Sequence, residues 1–387
     1  MDCAHSLSPR PGAKVVAVSE YTERAQNSTG YFWYQATEYL RAAGISVHLA
    51  SYTREMTPRV RSSVLLRLCL KLLISLRLAM KVARSARRGD VVFSGTNPEI
   101  LLPMLVMLKP LLGFRLCVLV HDVFPENLGP AGVLKSSDRA YALLSALYRW
   151  IYGRFDATIV IGRDMQKLVD LKAGNNRSTF VHNWVDQGDV QPLDRLASGL
   201  IASLGWQDHV VFQFYGNMGR LQGIDGLLRG IERVQAHNAA FLFVGSGVMQ
   251  GDIEQFCAAH PRSHYVRSQA GLDRSTLLAT CDVALVCLQP GMFGLGVPSK
   301  AYFSLAADRP LLAIMDEGSE IALMVQEHRL GWTCIANDPD GIAATIDAIC
   351  GAPLPIPRGR CRALMETSFS AETALDRLTR RIEEMLA

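Results

Sequence analysis

Lys14-Val15-Val16-Ala17-Val18-Ser19 reads as a β-strand, and the next thirty residues decide the fold: a polar loop ending Asn27-Ser28-Thr29-Gly30, a helix-forming stretch through Tyr39 and Leu40 that stops at Gly44, and a second apolar run over residues 45–50. Strand, glycine-bearing loop, helix and strand, joined by short connections, predict a parallel α/β sheet. Further short strands are predicted over residues 90–94, 115–121, 157–161 and 179–182, with helical stretches between them. From residue 186 to 206 the periodicity lapses around Gly188, Pro192 and Gly199, which predicts an interdomain linker. A second round of strands comes over residues 210–215, 240–244, 283–287 and 311–314, each running into a loop rich in Gly, Ser or Pro.

The 387 residues suit two such domains of about 190 each. The expected division is a first domain over 1–190, a second over 191–370, and a last helix over 371–387 that crosses back to the first. A composition of 49% hydrophobic and 20% charged residues with 31 glycines fits a globular enzyme and excludes disordered and fibrous classes. The nine cysteines are scattered, odd in number and contain no C-x-x-C pair, so they are expected to be reduced. Residues 1–13 carry Asp2, His5, Pro9 and Pro11 and no apolar core, which predicts no secretory leader and a cytoplasmic chain.

Charge is divided unevenly. Residues 1–190 hold 24 Lys+Arg against 15 Asp+Glu, and residues 191–387 hold 16 against 21. A basic first half suits an anionic partner such as lipid headgroups, a lipid diphosphate or nucleic acid, the alternative being a chance asymmetry of a solvated surface; no nucleic-acid partner is expected. Within it, residues 64–82 form an amphipathic pattern whose Arg67, Lys71, Arg77 and Lys81 fall within about half a helix circumference. Two readings stand: peripheral contact with the anionic inner membrane face through residues 64–88, or an apolar half packed on the sheet with the cations in water. The apolar stretch 100–120 is cut by Lys109-Pro110 and Gly113-Phe114-Arg115 into pieces too short to span a bilayer, and reads as a helix followed by a strand.

Three loops of the second half carry anion-binding chemistry. In Gly216-Asn217-Met218-Gly219-Arg220-Leu221-Gln222-Gly223, backbone amides at a strand-to-helix turn can receive a phosphate, with Arg220 adding a bidentate charge. Val244-Gly245-Ser246-Gly247 loosely resembles a dinucleotide fingerprint, but the spacing to Gly251 is wrong and no acid ends the next strand near Tyr265, which disfavours a dehydrogenase. Val297-Pro298-Ser299-Lys300 starts a helix with a lysine in its first turn. The helix dipole disfavours that position unless an anion lies between them; the alternative is a lysine that snorkels to solvent. Asp338-Pro339-Asp340 reads as a helix cap with proline at the first helical position, not as a metal-binding D-x-D, so no metal is expected.

Taken together, Gly216 to Gly219 with Gln222-Gly223, Val297 to Lys300 with Ala306 to Pro310, Gly318-Ser319-Glu320 and His182-Asn183-Trp184-Val185-Asp186 resemble family 4 retaining glycosyltransferases of GT-B fold, in the branch similar to capsule, O-antigen and colanic-acid enzymes. The resemblance implies two Rossmann-like, doubly wound parallel-sheet domains facing a cleft. The second would hold a nucleotide-sugar donor, most simply a UDP-sugar, and the first a lipid-linked or polysaccharide acceptor. It implies that Gly216, Asn217 and Arg220, with Gly219, Gln222 and Gly245 beside them, line the diphosphate; that Ser299 and Lys300 bind phosphates or nucleotide; and that Glu320 lies near the same pocket. On the acceptor side it points to Ser28, Thr29, Gly30 and Asn183, and to the strand end His121-Asp122-Val123-Phe124-Pro125-Glu126, where His121, Asp122 and Glu126 form the catalytic set; His121 and Glu126 are the candidates to take the acceptor proton, the alternatives being a structural imidazole and a helix N-terminal charge.

The chain departs from the pattern where family members carry Arg and Lys, here Asn217 and Gln222. The family's pair of glutamates is also missing, with Phe303 in the second place and Phe293 or Gly294 in the first. Expulsion of a diphosphate calls for preorganised positive charge, one such donor contributing about 3 kcal/mol. The alternatives are a UDP-sugar 2-epimerase of the same fold and a catalytically inactive partner subunit.

Overall fold

A computed structural model describes residues 12–24, 28–54, 63–196, 198–267 and 273–387; Cys3, Asn27 and nearly all of the segment read for a leader lie outside them. The chain divides into two units. One comprises residues up to Asn127, Lys135–His182 and Glu372–Ala387; the other comprises Leu128–Leu134 and Asn183–Ala371.

The first unit runs β1 (Val15–Ser19), α1 (Ser28–Ala42), β2 (Val47–Ser51), α2 (Val64–Ser85), β3 (Val91–Gly95), α3 (Leu101–Leu112), β4 (Arg115–Val120), α4 (Arg139–Tyr152), β5 (Ala157–Val160), α5 (Arg163–Ala173) and β6 (Ser178–Phe180). The sheet order is β2-β1-β3-β4-β5-β6, every pair parallel. Strands β1 and β3 are buried throughout, as continuous apolar runs covered by helices on both faces must be. Trp33 of α1 seals one face, its ring 4.7 Å from that of Phe93. The stretch 100–120 is the helix and strand expected of it, α3 and β4.

The second unit runs α6 (Leu200–Ser203), β7 (Val210–Asn217), α7 (Ile224–Ile231), β8 (Ala239–Ser246), α8 (Gln250–Ala259), β9 (Ser263–Arg267), α9 (Arg274–Ala279), β10 (Val283–Cys287), α10 (Lys300–Ala306), β11 (Leu311–Met315), α11 (Glu320–His328), β12 (Gly331–Ile335), α12 (Pro339–Cys350) and α13 (Arg360–Thr367). Its sheet order is β12-β11-β10-β7-β8-β9, again all parallel. The last helix, α14 (Ala371–Leu386), is bonded within the first unit: the Tyr39 hydroxyl donates to Asp376 at 2.6 Å, and Arg115 donates to the Met385 carbonyl.

Each sheet reverses direction once. After β2 the chain returns to the other side of β1, and after β9 it returns to the other side of β7. The crevices so created lie beyond the C-terminal ends of β1 and β3 in one sheet and of β7 and β10 in the other, which is where open α/β sheets take ligands.

Two details differ from the sequence expectation. Strands β7 and β8 continue through Gly216-Asn217 and Gly245-Ser246, where the sequence predicts loop. Gly216 and Gly245 are register partners, and a Cβ on Gly245 would lie 1.9 Å from the Gly216 carbonyl oxygen, so only glycine lets the ladder extend. Strand β12 has no counterpart among the predicted strands; it is a half-buried edge strand, paired only with β11.

Helix α2 packs one apolar face inward, as the second reading of residues 64–82 has it, and leaves a further apolar face uncovered. Ile74, Leu78 and Val82 pack inward, while Leu65, Leu68, Leu72, Leu76 and Met80, spaced three and four apart on a separate face, stay exposed. Among the described residues no helix is long and apolar enough to cross a membrane.

Candidate active site

In the second unit the crevice is built by the segments following β7 and β10. Arg220–Gln222 form a single 3-10 turn, and Gly223 takes φ +62° to start α7. A Cβ on Gly223 would lie 2.6 Å from the Leu288 carbonyl oxygen, and the Gln289 amide donates to the Leu221 carbonyl at 2.9 Å. The turn carrying Arg220 is thereby fixed against the segment that leads to Lys300.

Lys300 opens α10 but does not snorkel. Its ammonium is enclosed, has no hydrogen-bond partner, and lies 3.6 Å from the centroid of the Phe214 ring on β7. Burial pulls its pKa down to about 7, with Cys287 acting the other way. Gly216, at φ +111°, is the residue beside it: a Cβ there would be 4.0 Å from Lys300 Cε. A cation without a counter-ion next to a bare backbone turn is what an incoming anion would complete.

The other residues expected on the donor side lie at or just after the C-terminal ends of β7, β8, β10 and β11. Ser299 precedes Lys300 without capping the helix, and Arg220 is exposed. Gln222 has an enclosed, unpartnered Oε1, and Asn217 lays its amide nitrogen 3.1 Å from the place of a Gly219 Cβ. Glu320, 2% exposed, is the first residue of α11. Asn183 donates to the Val297 carbonyl at 3.4 Å, which brings the His182–Asp186 motif to the segment before Lys300. The places given to the missing glutamates, Phe303 for the second and Phe293 or the buried Gly294 for the first, differ in setting. Phe303 is buried under the Arg274 guanidinium, 4.7 Å from its ring, whereas Phe293 is 42% exposed. Asp316, not anticipated from sequence, holds the Phe293 loop by accepting from the Gly291 and Phe293 amides at 2.8 and 3.2 Å. Asp338 caps α12 by accepting from the Gly341 amide at 3.1 Å, and Asp340 pairs with Arg233 at 2.6 Å.

In the first unit a pocket of about 310 Å³ opens at the β1/β3 crevice, lined by Glu20 and Tyr21 after β1, by Thr96, Asn97 and Glu99 after β3, by Asp122, Phe124 and Asn127 after β4, and by α2 through Arg67, Leu70, Lys71 and Ile74. Thr96 ties two of these loops together, its hydroxyl accepting from the His121 and Asp122 amides at 3.3 Å each. Tyr148 of α4 donates to the Glu99 carbonyl at 3.0 Å. Lys71 Nζ bonds both oxygens of Glu99, at 2.8 and 3.1 Å.

Of the catalytic candidates named from sequence in the first unit, Asp122 lines this pocket. It is open to solvent through the mouth yet ringed by protein. That crowding raises its carboxyl pKa to about 6, helped by Glu99 and opposed by Lys71, and solvent at the mouth screens part of the effect. His121 turns away: its ring stacks on Phe32 at 6.3 Å, Nε2 is enclosed without a partner, and burial lowers its pKa to about 4. Glu126 is held by Lys172 in an ion pair; Lys172, its side chain 5% exposed, also donates to the Phe124 carbonyl at 2.7 Å. Ser28, Thr29 and Gly30 form the first turn of α1, outside the pocket wall. Glu20 was not anticipated. Burial raises its pKa above the ordinary carboxylate value, Glu99 adding to the rise while the Tyr21 hydrogen bond and Lys71 oppose it.

Residues 29–188 match the family model Glycosyltransferase Family 4. The chain is 41% identical to the probable glycosyltransferase WbjE of Pseudomonas aeruginosa, over 97% of this chain and 99% of that one. The chain belongs to glycosyltransferase family 4. Among solved structures, this family 4 enzyme resembles HepE of Anabaena, solved with UDP and glucose, at a TM-score of 0.70 and 12% identity over 96% of this chain and 100% of that one. It also resembles WaaG, a glycosyltransferase involved in lipopolysaccharide biosynthesis, at a TM-score of 0.67 and 12% identity, over 95% and 99% of the two chains. Both likenesses bear on the fold, which is GT-B.

Proposed function

We propose that this family 4 glycosyltransferase takes its sugar from a UDP-sugar and passes it to a lipid-linked or polysaccharide acceptor in cell-surface polysaccharide assembly, at the inner membrane face. The observation that carries the donor half is the enclosed Lys300 ammonium beside Gly216. A desolvated cation is costly alone and gains most from a multivalent anion. In this reading Lys300 and Arg220 meet the diphosphate and take up the charge that develops as it leaves, without a metal ion. HepE has been solved with UDP, and WaaG serves lipopolysaccharide synthesis, which supports the choice of donor and of pathway class.

On the acceptor side Asp122 receives the proton of the acceptor hydroxyl. It lines the pocket, whereas His121 is turned toward Phe32 and Glu126 is engaged by Lys172. The exposed apolar stripe of α2, with Arg77, Lys81 and Arg84 beside it, lies on the anionic membrane surface, each cation there contributing about 1 kcal/mol.

Calorimetric titration with UDP tests the donor half. Lys300→Ala and Arg220→Ala should each weaken binding about 10- to 100-fold, the range for a lost charge-assisted hydrogen bond. Unchanged UDP affinity in both variants removes the assignment.

A further inference from the structure

The acceptor pocket is divided by charge. Its sheet side carries three carboxylates, Glu20, Glu99 and Asp122, drawn from three different loops. Its helix side carries two cations, Arg67 and Lys71, four residues apart and therefore on one face of α2. That face continues as Ile74, Leu78 and Val82, which are buried in the core, so the two cations are the polar overhang of an otherwise packed face. Among the described residues, the Arg67 side chain has no ion-pair or hydrogen-bond partner.

We infer that Arg67 and Lys71 form an anion subsite for a phosphate or diphosphate ester borne by the acceptor, and that Glu99 occupies Lys71 until the acceptor arrives. The inference rests on the acceptor role proposed above for this pocket. The Lys71–Glu99 pair suits exchange. Its side chains are 39% and 24% exposed, so water reaches the pair and its net strength is small. A phosphate dianion offers Lys71 a higher charge than one carboxylate and also engages Arg67 through its planar fork. The opposite wall sets the orientation: the carboxylates repel phosphate and accept hydrogen bonds from sugar hydroxyls, so the ester lies against α2 and the sugar toward Glu20 and Asp122. Leu70, half-buried in the pocket wall, stands between this subsite and the exposed Leu66 on the outer surface of the same helix. An apolar chain attached to the ester therefore has a path outward, whereas a soluble sugar phosphate would use the cations alone.

The test uses the full chain saturated with UDP, so that the donor crevice is filled, titrated calorimetrically with farnesyl diphosphate below its micellar concentration and separately with inorganic pyrophosphate. Lys71→Met should weaken farnesyl diphosphate binding at least tenfold, and Arg67→Gln several-fold. Glu99→Gln should strengthen it several-fold, because Lys71 is released; a purely structural ion pair would give the opposite sign or no change. Tighter binding of farnesyl diphosphate than of pyrophosphate assigns the ester to a lipid, and equal binding assigns it to a soluble phosphate; both keep the subsite. Farnesyl diphosphate binding unaffected by Lys71→Met, or weakened by Glu99→Gln at unchanged thermal stability, overturns it. If Lys71→Met fails to fold, Arg67→Gln and Glu99→Gln decide. UDP affinity, measured first in each variant, should stay at the wild-type value, so a failure of the donor assignment is seen separately from a failure of the subsite.

Discussion

The Lys300 ammonium sits 3.6 Å above the centroid of the Phe214 ring, one side chain opening a helix and the other filling a central strand. The ring faces the cation but cannot replace lost water or a counter-ion, and the pKa of about 7 follows from that. Lys300 must be charged to hold a diphosphate. UDP affinity should therefore fall as pH rises above about 7, and at pH 8 binding should take up protons. Calorimetry in buffers of different ionisation enthalpy measures this uptake, and it should vanish in Lys300→Ala. Stability of the empty protein should move the other way. Between pH 7 and the ordinary lysine value the unfolded chain binds more protons at this side chain, so raising pH favours the folded form.

A base must be unprotonated to work, and crowding raises the Asp122 carboxyl pKa toward about 6. With any accepted substrate, kcat/KM should rise about tenfold per pH unit below about 6 and level off above it. Asp122→Asn should remove that rising limb and lower kcat by roughly 10²- to 10⁴-fold. A limb that persists in the variant assigns the titration to another group.

Glu126 and Lys172 should separate from Asp122 by phenotype. Burial lowers the Lys172 pKa while Glu126 raises it, as in a desolvated pair. Removing one member of such a pair costs about 3 kcal/mol or more. Urea denaturation of Glu126→Gln and Lys172→Met should show that loss. The kcat of Glu126→Gln should stay within a few-fold of wild type; a kcat loss as large as that of Asp122→Asn would return Glu126 to the catalytic set.

The outward face of α2 should govern membrane binding. Co-flotation with vesicles of one part phosphatidylglycerol to three parts phosphatidylcholine should be strong for the wild type. It should fall sharply for Leu72→Glu with Leu76→Glu, and several-fold for Arg77→Gln with Lys81→Gln, losses that high salt should mimic. Equal flotation of all three proteins would dismiss the bilayer as its partner.

What the sequence disclosed followed from burial. Strands such as β1, β3 and β10 are apolar at nearly every position and could be placed to within a residue or two. Strand β12, Gly331-Trp332-Thr333-Cys334-Ile335, is half in water and pairs on one edge only, so its composition carries no such mark. Gly216 and Gly245 looked like loop because glycine usually is; their close approach across two strands is a long-range fact. The residues proposed for the donor could be singled out because Gly216 to Gly223 and Val297 to Lys300 are contiguous motifs. The first-unit pocket was not, since Glu20, Lys71, Thr96, Glu99 and Asp122 come from four separate segments and meet only through strand order and the packing of α2.

Thr96 adds a constraint of direction. Its oxygen already receives two amide protons, from His121 and Asp122, so both lone pairs are committed and the hydroxyl can only give its hydrogen away. Whatever sugar oxygen settles against it must be the receiver there, which leaves that oxygen's own hydrogen free to turn toward Asp122. With the acceptor role proposed for this pocket, its polarity would run one way, from threonine through the sugar to the carboxylate, and an acceptor methylated at that hydroxyl would dock but have no proton to surrender.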